Sequence, residues 1–107
     1  MSDVKISGLD DAPPENEGRI IQFNHPFTEY PYTLALYQSG GRFFVITDAC
    51  KMCGSSLGRG TLKGMYAACA REGHPWHIKT GLCKFDRTQS QPTYRVQLRD
   101  DGLYIEI

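Results

Sequence analysis

Apolar and polar residues alternate with a period of two in four short segments of this chain. The apolar positions of these segments are Tyr32, Leu34 and Leu36, then Phe44 and Ile46, then Tyr94, Val96 and Leu98, and finally Leu103, Ile105 and Ile107. Because successive side chains of a β-strand point to opposite faces of the sheet, this alternation predicts half-buried strands. Helical periodicity is scarce, so the pattern indicates an all-β fold.

Turn residues separate the predicted strands. Ser39-Gly40-Gly41 lies between the first two segments, and Asp100-Asp101-Gly102 lies between the last two. Glycine and aspartate tolerate the positive φ angles of tight hairpins, so both turns predict antiparallel pairs. Short strands interrupted this regularly are typical of a β-sandwich or a small barrel. The sequence has no internal repeat or long linker, and we expect a single domain over residues 1–107.

Charge and cysteine content narrow the function classes. Twelve basic and twelve acidic side chains cancel, so no basic field is available to bind nucleic acid or an anionic membrane surface. The N-terminal segment holds no apolar run long enough for a signal peptide or a membrane helix, and we expect a cytoplasmic protein. In that reducing compartment, the four cysteines favour a metal or redox role over disulfide bonds.

The segment from about residue 48 to residue 84 alternates least and holds the candidate chemistry. Glycines are concentrated there around three of the four cysteines, which predicts loops folded tightly around something small. Within this segment, Cys50 and Cys53 form a C-x-x-C motif. That spacing is typical of zinc and iron–sulfur sites, because it lets two thiolates reach one metal centre.

Other metal donors follow the C-x-x-C motif. Cys69 with His74 or His77 completes a set of four ligands, because thiolate and imidazole suit both zinc and iron. Cys83 is expected to fill the core instead, since a free cysteine packs like a small apolar residue. Trp76 and Phe85 are also expected in the core.

These motifs resemble the ligand frame of the Rieske family. Rieske domains carry C-x-H in one loop and C-x-x-H in a second loop further along the chain. Cys50 and Cys69 fall at the two cysteine positions, while Met52 and Glu72 stand where the family has its two histidines. In the family, two cysteines hold one iron of a [2Fe–2S] cluster and two histidines hold the other.

The resemblance extends beyond the ligand positions over nearly the whole chain. Residues 62–69 resemble the strand that enters the second loop, and Trp76 with residues 78–81 resembles the strand and the T-G turn that leave it. Residues 32–46 resemble the family's hairpin, and residues 94–105 resemble its closing pair of strands. The resemblance implies a Rieske-like β-sandwich with a small, loop-rich, metal-binding subdomain in the glycine-rich segment.

Substitution of both histidine positions leaves three outcomes open. In the first, Cys53 joins Cys50 and Cys69 in a rebuilt, thiolate-rich [2Fe–2S] site, with His74 as the fourth donor and Glu72, Met52 or His77 as alternatives. In the second, the same cysteines and one further donor hold a structural zinc ion, since Cys₃His sets are common zinc shells. In the third, no metal is bound and the chain is a structural subunit of a larger enzyme, as in the Rieske-like small subunits of nitrite reductases.

The rebuilt site implies a small electron-transfer protein of the ferredoxin type. A thiolate-rich cluster is more negative than a standard Rieske centre, so we expect a lower reduction potential. Such a protein serves a redox partner, the oxygenase or reductase component of a larger system. The sequence shows no Ser/His/Asp arrangement, phosphate-binding loop or paired-carboxylate cleft, and we expect it not to be an enzyme itself.

Overall fold

The part of the chain that the structure describes forms ten β-strands. The computed structural model describes residues 3–107, so Met1 and Ser2, with which the predicted single domain begins, lie outside the described residues. The strands are β1 (Asp3–Ser7), β2 (Glu17–Asn24), β3 (Pro31–Ser39), β4 (Arg42–Thr47), β5 (Thr61–Lys63), β6 (Tyr66–Ala68), β7 (Pro75–His77), β8 (Thr93–Tyr94), β9 (Val96–Arg99) and β10 (Gly102–Glu106). Within the described range, no helix is long and apolar enough to cross a bilayer. The predicted all-β class is confirmed.

Two antiparallel sheets pack against each other at the base of the fold. Their strand orders are β2-β3-β4-β8 and β1-β10-β9. Leu34, Leu36 and Val45 from the first sheet lie in one buried cluster with Leu103 and Ile105 from the second. Both predicted hairpins are present, since one joins β3 to β4 and the other joins β9 to β10.

Strand β3 is buried on both faces. The period of two predicts a half-buried strand, yet Ala35 and Tyr37 are as inaccessible as Leu34 and Leu36. Ala35 and Tyr37 lie in a second buried cluster, together with Ile46 and residues of the glycine-rich segment. The half-buried prediction is therefore wrong for β3, because that segment covers the face that the alternation left to solvent.

A third sheet, with the order β5-β6-β7, forms part of this covering layer. The sequence resemblance predicts one strand over residues 62–69, whereas the structure has a hairpin in which Leu62 pairs with Ala67. Gly64 makes the turn with a φ of 58°, a conformation that glycine adopts without steric cost. Trp76 on β7 is fully buried in the second cluster, as the sequence predicts. The hairpin and β7 place the two cysteine loops side by side.

Gln91 fastens the first cysteine loop to the base of the fold. Its side chain is buried, and its Oε1 accepts a hydrogen bond of 2.7 Å from the backbone N–H of Lys51. Its Nε2 donates to the backbone carbonyls of Thr47 at 3.0 Å and Ala49 at 2.9 Å. One amide side chain therefore satisfies three backbone groups at the start of the loop, from a position 40 residues further along the chain.

We expect Gln91→Ala to lower the free energy of unfolding by about 2–4 kcal/mol, because three backbone groups of the loop lose their hydrogen-bond partner at once. Gln22→Ala serves as the control, since Gln22 is exposed on β2 and its loss is expected to cost less than about 0.5 kcal/mol. Urea denaturation of the two variants measures the difference. Equal midpoints for both variants would contradict the role assigned to Gln91.

Candidate metal centre

The first cysteine loop is a tight turn that follows β4. The N–H of Gly54 donates to the carbonyl of Cys50 at 2.7 Å, and the N–H of Cys50 donates to the carbonyl of Ser55 at 2.8 Å. Gly54 has a φ of 78°, which glycine accommodates without strain. These two bonds reverse the chain within a few residues, so the sulfurs of Cys50 and Cys53 belong to one compact turn.

Asp48 forms hydrogen bonds with the residues that follow the first cysteine turn. Its side chain is buried, and its Oδ1 accepts hydrogen bonds from the Ser56 hydroxyl at 3.0 Å and from the Gly58 N–H at 2.8 Å. Its backbone carbonyl also accepts from the N–H of Leu57 at 2.8 Å. The buried carboxylate is thus paired within the loop, and both ends of the cysteine turn are held in place.

The second loop joins β6 to β7 and carries Cys69 and His74. The N–H of Gly73 donates to the carbonyl of Cys69 at 3.1 Å, and the N–H of Cys69 donates to the carbonyl of His74 at 3.1 Å. Gly73 has a φ of 70° and reverses the chain just before His74. A further bond of 3.0 Å runs from the N–H of Ala70 to the carbonyl of Ser56 and ties the two loops together.

Four metal donors converge where the loops meet. Sγ of Cys50, Cys53 and Cys69 and a ring nitrogen of His74 all lie within 4.8 Å of one another. Nδ1 of His74 is 3.5 Å from the sulfur of Cys50 and 3.7 Å from that of Cys69, and the sulfurs of Cys53 and Cys69 are 3.6 Å apart. The structure brings together the three cysteines that the sequence singles out, together with His74.

The alternative fourth donors lie outside this group. Met52 is 48% exposed on the outside of the first loop. Glu72 has a side chain 56% exposed, and its Oε2 lies 3.5 Å from Nε2 of His74. His77 lies on β7, and its Nδ1 accepts hydrogen bonds from the N–H groups of Lys79 and Thr80, both at 3.2 Å. Of the four candidate fourth donors, His74 alone belongs to the group of converging donor atoms.

The donor set does not fit the ordinary Rieske cluster. That cluster needs two histidines on one iron, but Met52 and Glu72 occupy the corresponding positions and neither belongs to the group of four donors. Three thiols and one imidazole are the donors that zinc and iron accept. The residues of this chain therefore fit a thiolate-rich metal centre of a different kind.

Cys69 is the most acidic thiol of the group. Burial acts to raise its pKa, but hydrogen bonds from the Ser55 hydroxyl, from the amides of Glu72 and His74 and from Cys53 outweigh burial and lower the pKa to about 6. The His74 N–H lies 3.2 Å from the Cys69 sulfur. Since the thiolate is the form that binds metal, this environment prepares Cys69 as a ligand at neutral pH.

Cys53 and His74 favour their charged forms. The hydroxyl and amide of Ser55 lower the pKa of the Cys53 thiol, and the hydroxyl oxygen lies 3.1 Å from the sulfur. Hydrogen bonding to Cys53 raises the pKa of the His74 imidazole, and the sulfur of Cys69 acts in the same direction. The thiolates of Cys53 and Cys69 and the imidazolium of His74 therefore stabilise one another at this site.

The buried side chain of Trp76 contacts the group of four donors. Its indole Nε1–H donates a hydrogen bond of 3.3 Å to the sulfur of Cys50. Burial raises the pKa of the Cys50 thiol, and this bond partly offsets the effect. The sequence predicts Trp76 only as a core residue, because nothing in the pattern shows that its single polar atom points at a cysteine. The indole thus packs in the core and hydrogen-bonds one of the four converging donors.

Several solved structures resemble this chain. The ferredoxin of Sphingomonas yanoikuyae B1 matches with a TM-score of 0.77 and 21% identity, covering 99% of both chains. A chain in the complex of reduced oxygenase and oxidized ferredoxin in carbazole 1,9a-dioxygenase matches with a TM-score of 0.76 and 24% identity, covering 96% of this chain and 91% of that one. The nitrite reductase [NAD(P)H] small subunit of Erwinia carotovora matches with a TM-score of 0.72 and 18% identity, covering 98% of this chain and 81% of that one.

These likenesses establish the architecture. No family model and no curated protein matches the sequence, so the identification rests on the three-dimensional arrangement of the strands. The three matched chains are aligned over 81% to 99% of their lengths at TM-scores above 0.7. The chain therefore has the Rieske-like fold, the fold of Rieske-type ferredoxins and of nitrite reductase small subunits.

Proposed function

We propose that the chain is a small electron-transfer protein that serves an oxygenase or reductase partner. Its metal centre is held by Cys50, Cys53, Cys69 and His74. The observation that carries this proposal is the convergence of four metal donors at the tip of a Rieske-like fold. A chain that had simply lost its ligands has no reason to keep a third thiol and an imidazole at the same point.

Iron is the metal that gives such a centre a redox function. Iron bound by thiolates exchanges an electron at a potential set by net charge, hydrogen bonds to sulfur and solvent exposure. Three thiolates add more negative charge than the two of a Rieske centre, which favours a lower potential. The hydrogen bonds that Trp76 and the His74 amide donate to sulfur act in the opposite direction, because they stabilise the added electron.

One side of the centre faces solvent. Cys50 and Cys69 are buried, but Cys53 is only partly covered and the His74 side chain is 23% exposed. A partner that docks on this side meets two ligands with no intervening layer of protein. Electron exchange at an exposed edge, with a rigid sheet layer behind it, is what a carrier between two larger proteins requires.

Anaerobic purification with metal analysis tests the proposal. We expect a coloured protein that contains iron, is bleached by dithionite and recovers its spectrum on reoxidation. The Cys53→Ala and His74→Ala variants are expected to lose the colour, because each removes one of the four donors. Both side chains are partly exposed, so their removal leaves the buried core intact. A colourless, iron-free protein that binds no iron after reduction of its thiols would contradict electron transfer.

A structural zinc module is the second candidate. The donor set favours it, because Cys₃His is a common shell for structural zinc and a bound ion stabilises a small β-protein directly. In that case the purified chain contains zinc without iron, and no redox change accompanies dithionite treatment. If neither metal binds, the remaining function is that of a metal-free structural subunit.

We expect Trp76→Phe to lower the reduction potential of the centre without changing its metal content. The phenyl ring fills most of the space of the indole, but it has no N–H to donate to the sulfur of Cys50. Loss of that bond leaves more electron density on the thiolate and disfavours the reduced form. Tyr66→Phe is the control, because it removes a hydroxyl from the neighbouring strand β6. An unchanged potential in Trp76→Phe, measured by spectroelectrochemical titration, would contradict the tuning role.

A further inference from the structure

We infer that the four donors hold a single, tetrahedrally coordinated metal ion and not a two-iron cluster. The inference rests on the ligand set of the proposed function, Cys50, Cys53, Cys69 and His74, and adds the number of metal ions and the arrangement around them. Three observations carry it: the separations between the donor atoms, the chelating turns in which they lie, and the environment of the second nitrogen of His74.

Three of the separations between donor atoms match the edges of one coordination tetrahedron. With metal–sulfur bonds of about 2.3 Å and metal–nitrogen bonds of about 2.0 Å, a tetrahedral ion places two sulfurs about 3.8 Å apart and a sulfur and a nitrogen about 3.5 Å apart. The sulfurs of Cys53 and Cys69 are 3.6 Å apart, and Nδ1 of His74 is 3.5 Å and 3.7 Å from the sulfurs of Cys50 and Cys69.

A two-iron cluster requires wider spacing. Its ligands form two pairs, one on each iron, and the pairs extend away from each other along the line that joins the irons. With tetrahedral irons and iron–sulfur bonds of about 2.3 Å, donors on different irons are more than about 5 Å apart. All four donors of this chain lie within 4.8 Å of one another. No division of them into two pairs leaves room for two irons and two sulfides.

Both loops act as chelating turns that close on the same point. Cys50 and Cys53 lie in a turn closed by the Gly54 amide, and Cys69 and His74 are held together by the bond from the Cys69 N–H to the His74 carbonyl. The Ala70 N–H bonds to the carbonyl of the first loop's Ser56, which fixes one turn against the other. Two chelating pairs held face to face in this way supply the four corners of one site.

His74 is oriented as a ligand through Nδ1. Its Nδ1 faces the sulfurs, and its Nε2 lies 3.5 Å from Oε2 of Glu72. Histidines that bind metal through one nitrogen commonly give the other N–H to a carboxylate, which fixes the tautomer and the direction of the ring. Glu72 occupies the position of a lost histidine ligand and here acts as a positioning residue, one step removed from the metal.

Two measurements on the intact chain test the number of ions. The first is the content of iron, zinc and acid-labile sulfide after anaerobic purification. The second is titration of the reduced, metal-free chain with cobalt(II), which reports tetrahedral thiolate coordination by its visible absorption bands. We expect one iron or zinc ion per chain without sulfide, and saturation of the cobalt bands at one equivalent.

The outcomes separate this inference from the proposed function. Two irons with two sulfides per chain would overturn the single ion and leave electron transfer standing. One iron without sulfide supports both, and one zinc ion without iron supports the single ion and contradicts electron transfer. A chain that binds neither metal and gives no cobalt bands overturns both.

Variants locate the ion. Cys53→Ala and His74→Ala are expected to abolish the tetrahedral cobalt bands, while Glu72→Gln is expected to weaken cobalt binding about 10-fold or more with the same stoichiometry. Cys83→Ala and His77→Ala are the matched controls, because they remove a thiol and an imidazole that lie outside the group. If either control abolishes the bands, or if Cys53→Ala retains them at one equivalent, the assignment is wrong.

Discussion

Replacement of Gly60 by alanine is expected to destabilise the protein by roughly 4 kcal/mol or more. A Cβ atom added at Gly60 would lie 1.8 Å from the carbonyl oxygen of Ala68 and 3.1 Å from the carbonyl carbon of Cys69. Both atoms belong to the backbone, so no side chain can rotate to relieve the overlap. The backbone at Gly60 and the backbone at the end of β6 must therefore move away from each other.

The same displacement is expected to prevent metal binding. Gly60 follows the first cysteine loop, to which its N–H is tied by a 3.0 Å bond to the Leu57 carbonyl, and it contacts the backbone next to Cys69. Separating these segments moves one pair of donors away from the other. The fraction of Gly60→Ala that remains folded is therefore expected to contain less metal than the folded parent chain. Metal analysis of that fraction measures the difference.

Gly64→Ala is the matched control for this prediction. Gly64 lies in the β5–β6 turn with a φ of 58°, but a Cβ atom there meets nothing within 4 Å. The expected cost is only that of a left-handed alanine, about 1–2 kcal/mol. Comparable denaturation midpoints for the two variants would show that the close approach at Gly60 is relieved more easily than the structure indicates.

Removal of the metal is expected to lower the melting temperature by roughly 15 °C or more. A ligand present at a thousandfold excess over its dissociation constant contributes about 4 kcal/mol to the folded state. For a chain of about 100 residues, each kcal/mol corresponds to a shift of about 4–8 °C. The expected gain is large because an ion held by the four donors would crosslink two glycine-rich loops that otherwise meet through side-chain packing and a few hydrogen bonds.

Thermal unfolding with and without a chelator measures this contribution. Cys53→Ala supplies the control, since a variant without the site has the same melting temperature under both conditions. Cys83→Ala, which keeps the site, is expected to respond to the chelator as the parent chain does. A parent chain that melts at one temperature regardless of chelator would show that the donors contribute nothing to folding through metal.

The sequence predicts the local features of the fold well. The β3–β4 and β9–β10 hairpins follow from alternation and from glycine turns, which depend only on neighbouring residues. The burial of Ala35 and Tyr37 does not follow, because it depends on a layer contributed by residues far along the chain. Phe85, predicted in the core, is 80% exposed. The periodicity of a strand cannot show how many layers pack against it.

The sequence likewise predicts some features of the candidate site and misses others. The frame of Cys50 and Cys69 is visible in the sequence, and so is the added thiol of Cys53. The sequence also offers His74 as the fourth donor, with Glu72, Met52 and His77 as alternatives. It cannot show which of these side chains reaches the three sulfurs, because that depends on how the turn at Gly73 directs the residues next to it.

The Gln91 clamp sets an order of events during synthesis. The first cysteine loop gains its three anchoring hydrogen bonds only when a residue 40 positions later has joined the fold. On the ribosome, all four donors have emerged before Gln91 is released from the exit tunnel. The nascent chain therefore exposes its thiols before the clamp that fastens the first cysteine loop to the base of the fold can form.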